Sequence, residues 1–142
     1  MANSFQCEIV SAERSIFSGE IRQIVAAGMM GDLGIMPGHA PLLTELKPGP
    51  LRILGEDGEE SIYYVDGGFI EVQPTLVSVL ADSAVRARDL DEAEAESARQ
   101  EAQKSLNEQQ SDLDYTRAAA ELAEAVAKLR TLDQLRRMGG KR

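Results

Sequence analysis

The residues with the best claim to chemistry lie in GDLGIMPGHAPLLTELKPG, from Gly31 to Gly49. Glycines at 28, 31, 34 and 38 suggest a phosphate cradle, but no Gly-Lys-Ser or Gly-Lys-Thr follows. Nor does a helical pattern begin where the phosphate would sit. His39 is the single histidine and has no cysteine cluster beside it, which argues against a first-row metal site. As a general acid or base it would need a carboxylate, serine or cysteine brought close by the fold, and Asp32 and Glu45 are the nearest carboxylates in sequence. A structural or interface histidine is the better reading. Glu56, Asp57, Glu59 and Glu60 crowd a turn without the spacing of a calcium loop. Cys7 alternates with Phe5 and Ile9 and reads as a small buried hydrophobe. No catalytic residue, metal site or cofactor site is therefore assigned.

The elements around these residues explain them better as a surface than as a reaction centre. Four glycines and three prolines set the backbone from Gly31 to Gly49, because glycine admits positive φ and proline fixes φ while removing a donor. The aliphatic residues between them follow no helical period. Such a loop is stiff and presents side chains rigidly, which suits contact with a partner.

The chain has 142 residues and 43% hydrophobic content, enough for one core plus an appendage. A formal charge of -9 argues against nucleic acid or an anionic membrane surface as the main partner. No run approaches the roughly 18 to 20 apolar residues that cross a bilayer. The first residues, MANSFQCEIV, have neither the pattern of a secretory signal nor that of a transit peptide, so a soluble, cytosolic protein is expected.

Composition changes near Val85 to Asp89, dividing the chain into segments 1–86 and 87–142. All five prolines and ten of twelve glycines precede the change. Before it, FQCEIV, EIRQIVAAG, LRIL, SIYYV, GFIEVQ and TLVSVLA read as short strands between turn signals. Asp57-Gly58 within GEDGEE marks a hairpin, with further reversals at Asp66-Gly67-Gly68 and Gln73-Pro74. Closely spaced strands predict an antiparallel sandwich or flattened barrel. Its core should hold Phe5, Ile9, Phe17, Ile21, Ile24, Ile53, Ile62, Tyr64, Phe69, Val72, Leu76 and Val79.

After the change, Asp89 and Glu92 offer a capping box for a helix whose stripe of Ala93, Ala95, Ala98, Ala102 and Leu106 contributes little burial. Ser111 and Asp114 offer a second cap. The following helix carries Tyr115, Ala118, Ala119, Leu122, Val126, Leu129 and Leu132 at spacings of three and four, predicting an antiparallel two-helix hairpin. It ends in Lys128, Arg130, Arg136, Arg137, Lys141 and Arg142, opposed only by Asp133 in local sequence. That basic end exceeds what helix capping needs and predicts an acidic partner surface.

VSAERSIFSGE, GDLGIMPGHAPLLTELKPG, DGGFIEVQP, VLADSAVRARDLDEAEA and AAAELAEAVAKLR together resemble the epsilon subunit of bacterial F-type ATP synthases, in order and over nearly the whole chain. The resemblance implies an α+β chain: a ten-stranded antiparallel β-sandwich (1–86) followed by a regulatory helical hairpin (87–142). It implies a non-catalytic rotor subunit of the F1 sector, on the cytoplasmic face of the bacterial inner membrane and peripheral to it, in a proton-translocating enzyme. The sandwich would join the gamma subunit to the c-ring. The hairpin would lie against the sandwich or extend toward the alpha and beta subunits and obstruct ATP hydrolysis. Carried onto this sequence, Gly31, Asp32 and Leu33 would face the c-ring, and His39, Ala40, Pro41, Leu42 and Leu43 would bind gamma. Lys128, Arg130, Arg136 and Arg137 would meet an acidic segment of beta.

Some relatives bind ATP through a motif of Ile or Leu, Asp, two variable residues, then Arg-Ala. Leu90, Asp91 and Ala95 match it, but Glu94 replaces the arginine, so weak or absent ATP binding is expected. Two other functions compete with the rotor reading. One is a sensor controlled mainly by ATP, which Glu94 opposes; the other is an enzyme using His39, which no companion group supports.

Overall fold

The structure, a computed structural model, describes residues 3–108 and 111–138. Apolar residues alternate with polar ones through much of the first segment, and a strand turns successive side chains to opposite faces. The result is β1 (Phe5–Val10), β2 (Ser15–Gly28), β3 (Gly31–Ile35), β4 (Leu42–Leu46), β5 (Gly49–Gly55), β6 (Glu60–Val65), β7 (Gly68–Val72), β8 (Leu76–Ala81) and β9 (Ala84–Arg86). The helices α1 (Glu92–Glu108) and α2 (Asp112–Arg137) follow a short 3-10 turn at Ala87–Asp89.

The strands run in the order β1-β8-β7-β4-β2-β5-β6-β9, with β3 also on β2 and β1 also paired to β2. That last pairing closes the sheet into a flattened barrel. The fourteen residues of β2 serve both layers: Ile21 to Ser15 pair with β1, while Ile24 and Val25 pair with both β5 and β3. A register shift between Ile21 and Gln23 lets the strand turn the corner. Nine strands are thus delimited among the described residues where the resemblance implies ten, because one long strand does the work of two. The pairing is antiparallel except between β1 and β8, where Gln6 to Val10 run parallel to Leu76 to Leu80.

The core between the layers holds Phe5, Cys7, Ile9, Ile21, Ile24, Ile53, Tyr63, Val65, Ile70, Val72, Val77 and Val79 among others. Two expected core residues need correction. Phe17 is half-buried but packs against the core, whereas Leu76 is half-buried outside it and Phe69 is 47% exposed. On β7, Ile70 and Val72 point inward, so the period of two turns Phe69 outward. The same period turns Ile62 and Tyr64 away from the core that holds Tyr63 and Val65, yet both are buried. The reason is α2, which packs on β5 and β6 and covers their outer side.

The first helix is capped by Asp91, whose Oδ1 accepts from the Glu94 amide at 3.0 Å, so the box expected from Asp89 and Glu92 does not form. Asp89 belongs instead to the preceding 3-10 turn. Ser111 caps α2 as expected, its Oγ accepting from the Asp114 amide at 3.1 Å. The expected stripe on α2 is only partly buried. Tyr115 and Val126 are exposed, whereas Ala118, Ala125, Ala127, Thr131 and Leu132 are buried. Two neighbours approach α2 from different sides, and small residues permit that. Buried alanines seven residues apart, Ala95 and Ala102 on α1 and Ala118 and Ala125 on α2, mark the seam between the helices. Ala127 and Thr131 lie on the arc turned to the sandwich, beside Lys128, whose ammonium sits 5.6 Å from the Tyr64 ring of β6.

Candidate functional site

The outer sides of the two layers differ in what covers them. One has α2 upon it. The other, formed by β4, β7 and β8, has no covering element among the described residues and exposes Leu43 at 65%, Phe69 at 47% and Leu80 at 49%. Register makes these one patch: Phe69 stands opposite Leu80 on β8 and opposite Glu45 on β4, two residues along the strand from Leu43. The loop leading into β4 extends the patch. Its backbone turns at Pro37 and Gly38, Gly38 has φ +88, and the His39 amide donates to the Met36 carbonyl at 3.1 Å. His39 Nδ1 lies 2.7 Å from the carbonyl of the adjacent Ala40, so the ring is held locally. Among the described residues, no carboxylate, serine or cysteine side chain bonds that ring, so the acid-base reading finds no companion group there. Ala40, Pro41 and Leu43 are exposed, while Leu42 packs against the core. Phe69 and Leu80 were missed as surface residues; the alternation through GFIEV, with Ile70 and Val72 one way and Phe69 the other, was the available signal.

A second surface lies at the β2–β3 turn. Gly31, at φ +129, pairs with Gly28, and Asp32 and Leu33 follow on β3. Met30 at the tip is 98% exposed, with Met29 exposed beside it. Two adjacent unbranched apolar residues immediately before Gly31 were the sequence signal for this tip. Asp32 has a further partner. Its Oδ2 lies 3.0 Å from Nη2 of Arg130, ninety-eight residues later on α2.

The basic residues of α2 are not opposed by Asp133 alone. Lys128 pairs with Glu124 at 3.2 Å, Arg137 with Asp133 at 3.0 Å, Arg136 with Glu92 on α1, and Arg130 with Asp32. Local sequence hides the last two pairs, because each partner arrives by the fold. Lys141 and Arg142 lie outside the described residues.

Leu90, Asp91 and Ala95 meet in a cavity of about 460 Å³ between the hairpin and the sandwich, lined also by Tyr64, Ser83, Ala125 and Lys128. Six carboxylates border it, from Asp66, Asp89, Asp91, Glu94, Glu121 and Glu124, against the single ammonium of Lys128. An anion would meet net repulsion. Tyr64 donates its hydroxyl to Asp66 at 3.1 Å, and burial together with the Asp66 and Glu124 carboxylates raises its pKa beyond the ordinary tyrosine range. The hydroxyl is therefore a fixed proton donor that holds the β6 end together.

Residues 4–87 match the family model "ATP synthase, Delta/Epsilon chain, beta-sandwich domain", and residues 88–133 match "ATP synthase, Delta/Epsilon chain, long alpha-helix domain". A curated relative from Chromohalobacter salexigens, an ATP synthase epsilon chain, is 70% identical over 139 residues, covering 98% of this chain and 99% of the relative. Two solved structures share the fold. A chain of the Euglena gracilis mitochondrial ATP synthase (OSCP/F1/c-ring, rotational state 1) superposes with TM-score 0.83 at 19% identity, over 89% of this chain and 80% of that one. A chain of the Tetrahymena thermophila mitochondrial ATP synthase central stalk and c-ring gives TM-score 0.62 at 14% identity, over 90% and 96%. A bare apolar face and a stiff loop on a sandwich clasped by a helical hairpin, in a chain matched by both models, place it in one family: the chain belongs to the ATP synthase delta/epsilon chain family.

Proposed function

We propose that the chain is the epsilon-type, non-catalytic subunit of the central stalk of a proton-translocating F-type ATP synthase. In this reading segment 1–86 couples the gamma subunit to the c-ring, and segment 87–142 restrains ATP hydrolysis. The observation that carries the docking role is the asymmetry of the sandwich: one outer side is covered by the chain's own α2, and the other exposes Leu43, Phe69 and Leu80. A contiguous apolar patch of this kind marks a protein contact. Together with His39, Ala40 and Pro41 it is the gamma-binding face, while Leu42 anchors that segment from the core side. The tip at Met29 and Met30, with Gly31, Asp32 and Leu33, is the c-ring-facing end. No helix among the described residues is long and apolar enough to cross a membrane. In this reading the subunit is peripheral, held through the complex at the cytoplasmic face of the bacterial inner membrane.

The hairpin is suited to move. Its seam is mostly alanine, so separating the two helices from each other exposes little apolar area, and the larger cost of opening is the uncovering of Ile62 and Tyr64 on the sandwich. Tyr115, Leu122, Val126 and Leu129 form a second apolar arc on α2, left partly open while the hairpin is docked. On extension along gamma that arc gains cover from the alpha and beta subunits. Arg130 and Arg136 are released from Asp32 and Glu92 and, with Lys128 and Arg137, meet an acidic segment of beta.

Site-specific photo-crosslinkers at Leu43 and at Met30 test the two docking faces in the assembled enzyme. Capture of gamma from Leu43 and of a c subunit from Met30 is expected. Capture of neither, or the reverse assignment, would contradict the reading.

A further inference from the structure

We infer that the Arg130–Asp32 ion pair is a latch that sets hairpin closure against docking of a cationic partner group at the Gly31–Leu33 turn. The naming of that partner as the c-ring rests on the function proposed above, whereas the latch itself does not. Asp32 stands on β3, just behind the exposed Met29–Met30 tip, and Arg130 is near the end of α2. Their 3.0 Å contact is a direct ion pair between α2 and that edge of the sandwich. Arg136 closes on Glu92, which joins α2 to α1 and leaves the sandwich untouched. Lys128 meets the sandwich at the Tyr64 ring, its carboxylate partner Glu124 being on α2 itself.

Asp32 has one side chain to offer. A guanidinium or ammonium arriving at the tip would bind the carboxylate that Arg130 holds. The arriving cation then displaces Arg130 and weakens closure, and by reciprocity closure weakens docking by the same factor. The pair is solvent-exposed, so the factor is small, about two- to five-fold, and shrinks as salt screens it. A coupling of that size suits a hairpin poised between two states, where a modest bias changes the population.

The test uses the full chain carrying Ala127→Cys. Ala127 is buried on the arc of α2 turned to the sandwich, so its labelling by a neutral maleimide reads the undocked fraction. Cys7 adds little background, because burial pushes its thiol up to about 12. Asp32→Asn and Arg130→Gln should each accelerate labelling about two- to five-fold. The exchanged pair Asp32→Arg with Arg130→Asp should return the rate most of the way to the parent value. Adding the c-ring to a complex already containing gamma should accelerate labelling of the parent and leave Asp32→Asn unaffected. Unchanged labelling in both single variants, or no recovery in the exchange, would overturn the latch. A working latch with no effect of the ring would overturn the antagonism. Failure of the chain to join gamma and the ring at all would overturn the rotor reading and the antagonism with it, while the isolated-chain rates still decide the latch.

Discussion

A β-carbon on Gly68 would lie 2.1 Å from the carbonyl oxygen of Leu80. That close approach lets β7 lie flat against β8, so that Phe69 stands opposite Leu80 on the bare outer face. Gly38 has no such neighbour, with nothing within 4 Å of a built β-carbon, and only its φ of +88 favours glycine. The two positions separate packing from backbone strain. Gly68→Ala should lower unfolding free energy by roughly 3 kcal/mol or more, combining overpacking with a positive φ. Gly38→Val should cost only about 1–2 kcal/mol of backbone strain, and should reshape the loop that carries His39. Chemical denaturation of both variants checks the order, and equal costs would contradict it.

Phe69→Ala should weaken binding to gamma about tenfold or more, with Leu43→Ala similar, because exposed apolar anchors at the centre of a patch dominate binding. His39→Ala should have a smaller effect, since its ring bonds the neighbouring carbonyl and extends the edge of the patch. Titration calorimetry against gamma gives the ranking. Because both apolar side chains face outward, thermal stability of the isolated chain should change little.

The isolated chain should show weak or no ATP binding, and Glu94→Arg should increase affinity measurably. Glu94 lines the cavity that holds Leu90, Asp91 and Ala95, and the exchange converts a repelling carboxylate into a phosphate partner there. Micromolar affinity in the parent protein, measured by calorimetry, would sink this account of the cavity.

Cys7 gives a pH dependence whose sign follows from burial. The folded thiol keeps its proton up to about 12, while the unfolded thiol loses it near 9. Between those values the folded state binds more protons, so the Cys7 contribution lowers stability as pH rises, by up to about 1.4 kcal/mol per pH unit. Denaturant midpoints from pH 8 to 11 should fall less steeply in Cys7→Ala than in the parent. The thiol itself should resist labelling at pH 8 until the sandwich unfolds.

Much of this molecule was legible in its residues. Turn glycines and short alternating runs revealed β1, β2 and β5 to β8, and Ser111 marked the start of α2. But β3 and β4 lie inside the Gly31–Gly49 stretch that reads as one stiff loop, because its glycines and prolines mask two five-residue strands. Phe69 was misplaced because hydrophobicity alone puts a phenylalanine inside, whereas its register beside Ile70 turns it out. Tyr115 and Val126 followed the helical period but missed the buried arc, since two neighbours crowd α2 and the arc between them is small-residue and polar-tolerant: Thr131 is fully buried, its hydroxyl donating to the Ala127 carbonyl. The Arg130–Asp32 pair could not be read at all. Ninety-eight residues separate its ends, and only the docking of α2 brings them together.

The central claim is a division of labour between a sandwich that docks and a hairpin that restrains. Deleting residues 87–142 tests it most directly, with gamma binding, ATP synthesis and ATP hydrolysis measured in the reconstituted enzyme. The truncated chain should still bind gamma and support synthesis, while inhibition of hydrolysis is relieved. Full inhibition by the truncated chain, or loss of gamma binding from a sandwich that remains folded, would contradict the account.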